Sequence, residues 1–210
     1  MSDVKRVSKR ALKAKETRAR ILRAAGELFV QEGYGATSLQ DVAAKAGVAV
    51  QTIYFVFGNK RTLLKELVDV TIAGDDEPVA TMDRPWFKEV LAAPTAAAHL
   101  RALVHGSSAV LARVAPIMKV LDTAVAMDPE VAAQWEQDTD PRHVVHSAAA
   151  RSLMAKPGAR SDVPPEQAAD VLYGLLSPEL YLLLTGARGW PHERFEEWAY
   201  DTLAAQLLDR

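Results

Sequence analysis

The stretch GVAVQTIYFVFGNK, residues 47–60, decides the fold that we expect for the N-terminal part of the chain. A glycine opens the stretch, three aromatic residues crowd its second half, and the lysine of Gly-Asn-Lys closes it. The apolar spacing predicts a short helix over residues 50–55, with Ile53 and Phe57 on one buried side. Three polar side chains are then expected on the outside of this helix: Gln51, Thr52 and Tyr54.

Predicted helices flank this stretch on both sides. Residues 17–32 space their apolar side chains three and four apart, which is typical of one face of a helix, and Gly33 provides a stop signal. Before the next short helix, Thr37 and Gln40 have the spacing of a capping box. Asn59 is a suitable N-cap for a fourth helix. A short helix, a glycine turn and a second short helix between two longer helices are the layout of a helix-turn-helix.

Charge is divided unevenly along a chain whose net charge is only −2. Residues 1–65 hold 13 Lys and Arg against 5 Asp and Glu, whereas residues 66–210 hold 12 against 22. A basic segment on an acidic remainder is typical of a polyanion-binding module, the alternative being a solubilising basic tail. We expect residues 1–16 to be a flexible arm that adds salt-dependent, nonspecific attraction or tracks the minor groove. Its basic residues are Lys5, Arg6, Lys9, Arg10, Lys13 and Lys15.

The N-terminal segment closely resembles the DNA-binding domain of the TetR family of bacterial transcriptional regulators. The resemblance extends over about 50 residues, TRARILRAAGELFVQEGYGATSLQDVAAKAGVAVQTIYFVFGNKRTLLKEL, and its most specific pieces are GY-x-A-T-S, D-V-A-x-x-A-G-V and T-I-Y-x-x-F-x-N-K. It implies a two-fold dimer that binds double-stranded operator DNA. It also implies a three-helix DNA-binding domain and a larger helical domain for dimerisation and for binding a small-molecule effector. Binding of the effector is expected to release the DNA.

Matching by motif implies which residues contact DNA. Backbone contacts are implied for Ser38, Thr52, Tyr54 and Lys60, base contacts for Val50 and Gln51, and a further contact for Thr37. Two positions depart from the family pattern. Ala49 stands where most members carry Ser or Thr, so the second short helix loses its usual side-chain cap, worth about 1 kcal/mol in other helices. Val56 stands where many members carry His, and it can make no phosphate contact.

The remainder of the chain is predicted to be helical, giving an all-α fold. We expect a DNA-binding domain over residues 17–65 and an effector-binding and dimerisation domain over residues 66–210. Helices are predicted over residues 95–114, 117–126, 166–187 and 191–208, and Pro116 is expected to open the second of these. A further helix is predicted to start at Asp128, and Pro141 is expected to break or kink it. No convincing strand is predicted.

The last two predicted helices have apolar residues on more sides than one subunit is expected to cover. Residues 180–184 are apolar all round their helix, which indicates burial on more than one side. We expect these helices to pair with those of a second subunit, the alternative being an ordinary monomer core. The candidate interface residues are Leu180, Leu183, Leu184, Phe195, Trp198, Leu203 and Leu207.

Aromatic, Met and His residues are scattered over the middle helices, and a small-molecule cavity needs such side chains. A hydrophobic core needs them equally, so they form only a pool of candidates. The effector-pocket candidates are Trp86, Phe87, Met118, Met127, Trp135, His146 and Tyr173, with His99 and His105 in the wider pool. His143 and His146 are three residues apart, but no third ligand accompanies them at fixed spacing, so no metal site is expected.

Composition and motifs bear on the alternative classes of protein that this chain could belong to. The chain contains no Cys, no G-x-S-x-G and no phosphate-cradling glycine loop, which disfavours a helical enzyme with a basic tail. A DNA-binding protein that ignores small molecules is the other alternative. No apolar run approaches the roughly 18 residues of a membrane span. We therefore expect a cytoplasmic protein without a cofactor and without membrane contact.

Overall fold

The computed structural model describes residues 9–74, 79–135 and 140–209. Within these ranges the chain is helical, and the only β pairing is an isolated bridge between Ala159 and Leu208. The all-α prediction is therefore confirmed. In chain order the helices are α1 (Lys9–Glu32), α2 (Leu39–Ala46), α3 (Val50–Phe57), α4 (Lys60–Ala73), α5 (Pro85–Ala92), α6 (Ala96–Met127), α7 (Pro129–Trp135), α8 (Pro141–Met154), α9 (Pro165–Leu175), α10 (Pro178–Leu182) and α11 (His192–Leu207).

The chain folds into two compact units. The first contains residues up to Asp69 together with Val120–Trp135, and the second contains Val70–Lys119 and the residues from Glu136 on. The predicted boundary at residue 65 lies four residues from the end of the first segment at Asp69. The segment Val120–Trp135 belongs to the first unit although no local feature of the sequence associates it with the N-terminal helices.

The first unit buries one apolar stripe from each of its N-terminal helices. Helix α1 packs against α2, and α2 packs against α3. Fully buried large side chains come from α1, α3 and α4: Ile21, Phe29, Ile53, Leu63 and Leu64. Helix α1 begins at Lys9, so residues 9–16, which we predicted as part of a flexible arm, are helical. The correction has a simple reason, since Ala, Leu, Lys and Glu are strong helix formers that extend a helix into solvent.

The second unit has its own core. Helix α8 packs against α9, and α9 in turn packs against α11. The largest fully buried side chains here are Phe87, Leu100, Leu103, Leu153, Leu172, Leu176 and Phe195. His99 is the least expected member, because it is buried completely, and its Nε2–H donates a hydrogen bond to the Ala149 carbonyl oxygen at 3.2 Å. Burial lowers the pKa of His99 to about 4, with the positive charge of Lys156 acting in the same direction.

Three prolines separate the correct helix predictions from the wrong ones. The helix break predicted at Pro141 is confirmed, because Pro141 is the first residue of α8 and Asp140 is the N-cap of that helix. Pro116 was predicted to begin a helix but lies inside the continuous α6. The carbonyl that loses its partner belongs to Ala112, an exposed residue, so water can satisfy it. Pro178 interrupts the helix predicted over residues 166–187, since its ring cannot continue α9.

Candidate nucleic-acid interface

Helix α3 is held on one side and open on the other. Ile53 is fully buried and Phe57 nearly so, which anchors the helix to the first unit at two positions one turn apart. The opposite side consists of exposed residues: Gln51, Tyr54, Phe55 and Val56. Two further residues are half-buried at the edges, Val50 and Thr52. The division between buried and exposed positions that was predicted for Gln51, Tyr54, Ile53 and Phe57 is confirmed.

Helix α2 leads into the turn before α3. The N-cap of α2 is Ser38, whose side chain accepts a hydrogen bond from the Asp41 backbone N–H. The Asp41 carboxylate in turn accepts a hydrogen bond from the Ser38 backbone N–H at 2.9 Å. The capping box therefore uses Ser38 and Asp41 and not the predicted Thr37 and Gln40. At the other end Gly47 adopts φ 65°, and the Val48 N–H reaches back to the Ala43 carbonyl at 3.0 Å.

Thr37 is placed away from solvent. Its side chain is 1% exposed, and its hydroxyl donates to the Gly33 carbonyl oxygen at 2.9 Å. The hydroxyl thus closes the turn between α1 and α2. Because the side chain is buried, only the backbone of Thr37 can contact DNA, and this contact stays a prediction.

Lys60 begins α4 and lies against Tyr34. Its ammonium group donates a hydrogen bond to the Tyr34 carbonyl oxygen and sits 4.2 Å from the centroid of the Tyr34 ring. Burial lowers the pKa of Lys60, opposed by the negative charge of Asp128. Because an ammonium group has three protons, this arrangement leaves donors for a phosphate. The phosphate contact implied for Lys60 stays a prediction.

A charge cluster joins α4 to the Val120–Trp135 segment within the first unit. The Arg61 Nε donates to Asp128 Oδ2 at 2.8 Å, and Arg61 Nη1 lies 2.6 Å from Glu130 Oε2. The hydrogen bond from Arg61 holds the pKa of Asp128 below its ordinary value. Sequence reasoning missed this cluster, because 67 residues separate Arg61 from Asp128 and no local pattern connects them.

Part of the positive charge of the N-terminal segment is compensated inside the first unit. Arg18 pairs with Glu66 at 2.5 Å, and Lys45 pairs with Glu27 at 2.9 Å. Arg61 is paired as described above. The excess of positive charge in residues 1–65 therefore overstates the number of cations available to phosphates.

The effector-pocket candidates divide between the two units. Met127 and Trp135 belong to the first unit, where Met127 is exposed and Trp135 lies 5.8 Å from the Lys65 ammonium. The other five belong to the second unit: Trp86, Phe87, Met118, His146 and Tyr173. Of these, Trp86 and Phe87 form one edge-to-face pair with centroids 5.5 Å apart, and His146 and Tyr173 form another at 6.0 Å. The seven candidates do not form one cluster.

One cavity of about 200 Å³ lies in the second unit, and none of these candidates lines it. Its lining is Arg160, Asp162, Val163, Gln167, Val171, Ala205, Gln206 and Leu207. Arg160 and Asp162 pair with each other at 2.6 Å, so their charges are satisfied within the lining. Of the residues predicted from sequence, only Leu207 borders this cavity, and it was predicted for a different role.

The dimer candidates also divide. Phe195, Leu203 and Leu207 are buried in the core of their own subunit, so the monomer-core alternative is correct for these three side chains. Leu183 is 54% exposed. Three more remain partly exposed: Leu180, Leu184 and Trp198. Candidate surface for a second subunit thus lies on α10, the π-helical turn Leu183–Ala187 and one side of α11.

The described residues contain neither a metal-binding cluster nor a membrane-spanning helix. Across residues 9–74, 79–135 and 140–209, no group of three or more His, Cys, Asp or Glu is placed to hold a metal ion. His143 and His146 point to different partners, the Asp170 carboxylate at 3.5 Å and the Arg142 carbonyl at 2.8 Å. In the same part of the chain no helix has the length and apolar character needed to cross a membrane.

The comparison with known sequences concerns the segment that contains α2 and α3. Residues 21–67 match the family described as "Bacterial regulatory proteins, tetR family". The HTH-type transcriptional regulator TtgR of Pseudomonas putida is 45% identical over 56 residues, which is 27% of this chain and 27% of TtgR. The chain therefore aligns with only about a quarter of the length of that relative. TtgW of the same species, an uncharacterised HTH-type transcriptional regulator, is 36% identical over 87 residues, or 40% of this chain and 65% of TtgW.

Solved structures share the fold over nearly the whole chain. A protein from Mesorhizobium loti assigned to the TetR family superimposes with a TM-score of 0.69 at 20% identity, covering 94% of this chain and 99% of that one. A protein from Saccharomonospora viridis, assigned as a transcriptional regulator and solved in complex with choline, gives a TM-score of 0.68 at 20% identity over 93% and 99%. At this level of identity the likeness establishes the fold.

Sequence reasoning missed one exposed residue of α3. Phe55 is 91% exposed, the highest value among the large apolar side chains of the described residues. The signal that could have found it is its spacing, since Phe55 lies four positions after Gln51 and therefore on the same side of a helix. The candidate interface consists of this outward side of α3 with the turn that precedes it.

Proposed function

We propose, from the premise that this chain belongs to the TetR family of bacterial regulatory proteins, that it is a transcriptional regulator that binds operator DNA through α3. The single observation that carries the proposal is the construction of α3. Ile53 and Phe57 fix the helix from behind, while Gln51 and Tyr54 project from the open side. Such a helix fits the major groove, where base edges and phosphates are within reach of its side chains.

Each polar side chain of α3 has a distinct role in this proposal. Gln51 offers an amide that donates and accepts, which suits the N6 and N7 atoms of adenine. Tyr54 and Thr52 offer hydroxyl groups that suit phosphate oxygens, and such contacts set the position of the protein without reading sequence. Ser38 already serves as the cap of α2, so its phosphate contact is proposed in addition to that structural role.

The regulator acts as a homodimer in this proposal. Two copies of α3 about 34 Å apart would meet successive major grooves of an inverted repeat. The partly exposed side chains Leu180, Leu183, Leu184 and Trp198 support a contact between two second units. Regulation is by repression that a small molecule relieves.

The effector site is proposed in the second unit. The Saccharomonospora viridis protein of the same fold was solved with choline, which supports a small organic ligand as the effector class. Trp86 and Tyr173 are partly exposed, and each is backed by a buried ring, Phe87 and His146 respectively, so these two side chains supply the apolar and polar surface that such a ligand needs. An effector shifts DNA affinity only if it binds one of two dimer geometries more tightly than the other.

The DNA-binding part is tested with the full chain and a pool of random duplexes. Repeated selection should enrich an inverted repeat bound by two chains, as measured by sedimentation of the complex. Gln51→Ala should lose about 1–3 kcal/mol of discrimination at one base pair of each half-site, and Tyr54→Phe about 1 kcal/mol of affinity on every duplex. Gln31→Ala, an exposed substitution of the same type on α1, is the matched control.

Two results would overturn the proposal. One is the absence of salt-dependent retention on any duplex, and the other is a chain that stays monomeric at concentrations where DNA is bound. The effector part has a separate test. Choline, other small organic cations and cell extract are added to the preformed complex of the protein with the selected duplex. If none of them changes the affinity of the protein for the duplex, the effector part of the proposal is wrong and the DNA-binding part is unaffected.

A further inference from the structure

The outward side of α3 combines a polar residue with an apolar one. Gln51 and Phe55 are four residues apart, so their side chains lie one above the other on the same side of the helix. Both are exposed, Phe55 almost fully. Tyr54 and Val56, the chain neighbours of Phe55, are exposed as well, at 50% and 36%.

The direction of Phe55 is determined by the buried residues of the same helix. Ile53 and Phe57 are anchored in the core of the first unit, and Phe55 is the residue between them. A rotation that buried Phe55 would have to expose both anchors. Phe55 therefore stays in solvent in the free protein and adds no apolar burial to the fold.

A single exposed apolar residue on a surface needs no explanation. Phe55 differs because it lies beside Gln51 on the element that the proposed function places in the major groove. The major groove presents one apolar feature, the C5 methyl group of thymine, and Phe is among the side chains that contact it. The polar edges in the same groove are matched by Gln51. The occupant that fits this pair of residues is therefore DNA containing a thymine next to the base that Gln51 reads.

We propose that Phe55 reads a thymine through its C5 methyl group, at a base pair adjacent to the one contacted by Gln51. The inference rests on the proposed function and adds a specificity-determining residue to it. It assigns part of the sequence preference to an apolar contact that no hydrogen bond can replace. An alternative, in which the Phe55 ring packs on a deoxyribose, would add affinity without any preference for thymine.

The test replaces one chemical group of the DNA at a time. The full chain first selects a duplex from a random pool, and each thymine of that duplex is then replaced by deoxyuridine, which lacks only the C5 methyl group. Dissociation constants are measured by fluorescence anisotropy at one salt concentration. We expect one thymine per half-site where the replacement weakens binding about fourfold, the equivalent of one buried methylene group.

Protein variants assign that methyl group to a residue. Phe55→Ala should bind the selected duplex more weakly and should make no distinction between thymine and deoxyuridine at that position. Phe55→Leu should keep part of the distinction, because its side chain is still apolar and long. If Val50 contacts the methyl group of a second thymine, Val50→Ala should lose the distinction between thymine and deoxyuridine at that other position. Val30→Ala, an exposed apolar substitution on α1, should change neither affinity nor the response to deoxyuridine.

The outcomes separate this inference from the proposed function. A duplex that is selected and bound but shows the same response to deoxyuridine in the parent and in Phe55→Ala overturns the inference alone. A loss of affinity in Phe55→Ala that is equal on all duplexes indicates the deoxyribose contact and also overturns it. Failure to select any duplex would count against the proposed function. Because Phe55 is exposed, its variants should keep the thermal stability of the parent, which a melting curve checks.

Discussion

Helices α2 and α3 are neighbours of the same length, eight residues each, and they are built in opposite ways. Helix α2 has a capping box at its start and a left-handed glycine at its end, and it buries Leu39, Val42, Ala43 and Ala46. Helix α3 follows Ala49, whose methyl group cannot cap it, and buries only Ile53 and Phe57.

The difference shows how one motif divides two tasks between two helices. Local hydrogen bonds stabilise α2, so it can support the turn at Gly47 without help from a ligand. Helix α3 depends on two anchoring side chains, and most of its remaining surface is open to a partner. A helix of this length would not persist alone in water, and tertiary packing supplies what its sequence lacks.

The largest expected effect distinguishes the two sides of α3. Ile53→Ala should lower the free energy of unfolding by about 2–5 kcal/mol, because it leaves a cavity at a fully buried site. Phe55→Ala should change it by less than about 0.5 kcal/mol, since an exposed ring contributes little to folding. Urea denaturation followed by circular dichroism gives both values. Equal losses would show that α3 is not anchored as described.

A smaller effect is expected at the cap of α2. Ser38→Ala should cost about 1 kcal/mol, because the Asp41 N–H and the Asp41 carboxylate both lose their partner hydroxyl. Hydrogen exchange of the α2 amides locates the loss, and Ser161→Ala, at an exposed position in the second unit, is the control. Unchanged protection of the α2 amides would contradict a structural role for the box.

The converse change supplies what α3 lacks. Ala49→Ser introduces a hydroxyl at the N-cap and should stabilise the first turn of α3 by about 0.5–1 kcal/mol in the free protein. The expected observation is slower hydrogen exchange at α3 with little change at α2. If exchange at α3 stays as fast as in the parent, the start of this helix is limited by something other than its missing cap.

The smallest effect concerns pH. The Ser38 hydroxyl, and secondarily its backbone N–H, hold the pKa of Asp41 below its ordinary value of 3.8. A carboxyl group with a lowered folded pKa stabilises the folded state above its unfolded pKa, and this contribution is lost as pH falls through the folded pKa. The difference in stability between the parent and Ser38→Ala should therefore shrink below about pH 4. A difference that is the same at pH 7 and pH 3 would contradict this linkage.

Sequence reasoning succeeded where the signal is local. The helix-turn-helix, the burial of Ile53 and Phe57 and the break at Pro141 all follow from residues within one or two turns of each other. It placed the capping box one residue early, because Thr37 and Ser38 are both suitable hydroxyl residues and only the backbone decides between them. In the structure Thr37 turns inward to the Gly33 carbonyl, and Ser38 caps the helix.

It failed where burial depends on distant parts of the chain. Phe195, Leu203 and Leu207 were expected at a dimer interface and lie in the core of the second unit. Met127 and Trp135 were grouped with residues of the other unit. An apolar stripe predicts that a side chain is covered, but the stripe does not specify which element covers it.

By itself the sequence determined the helical class, the positions of the short helices and the two sides of α3, because helical periodicity and turn chemistry act over a few residues. Only the tertiary structure decided that Arg61 meets Asp128 and Glu130 and that Phe195, Leu203 and Leu207 lie in the core of the second unit. Those outcomes depend on contacts between residues far apart in the chain. Their energies arise only when packing brings the partners together, so no local pattern records them.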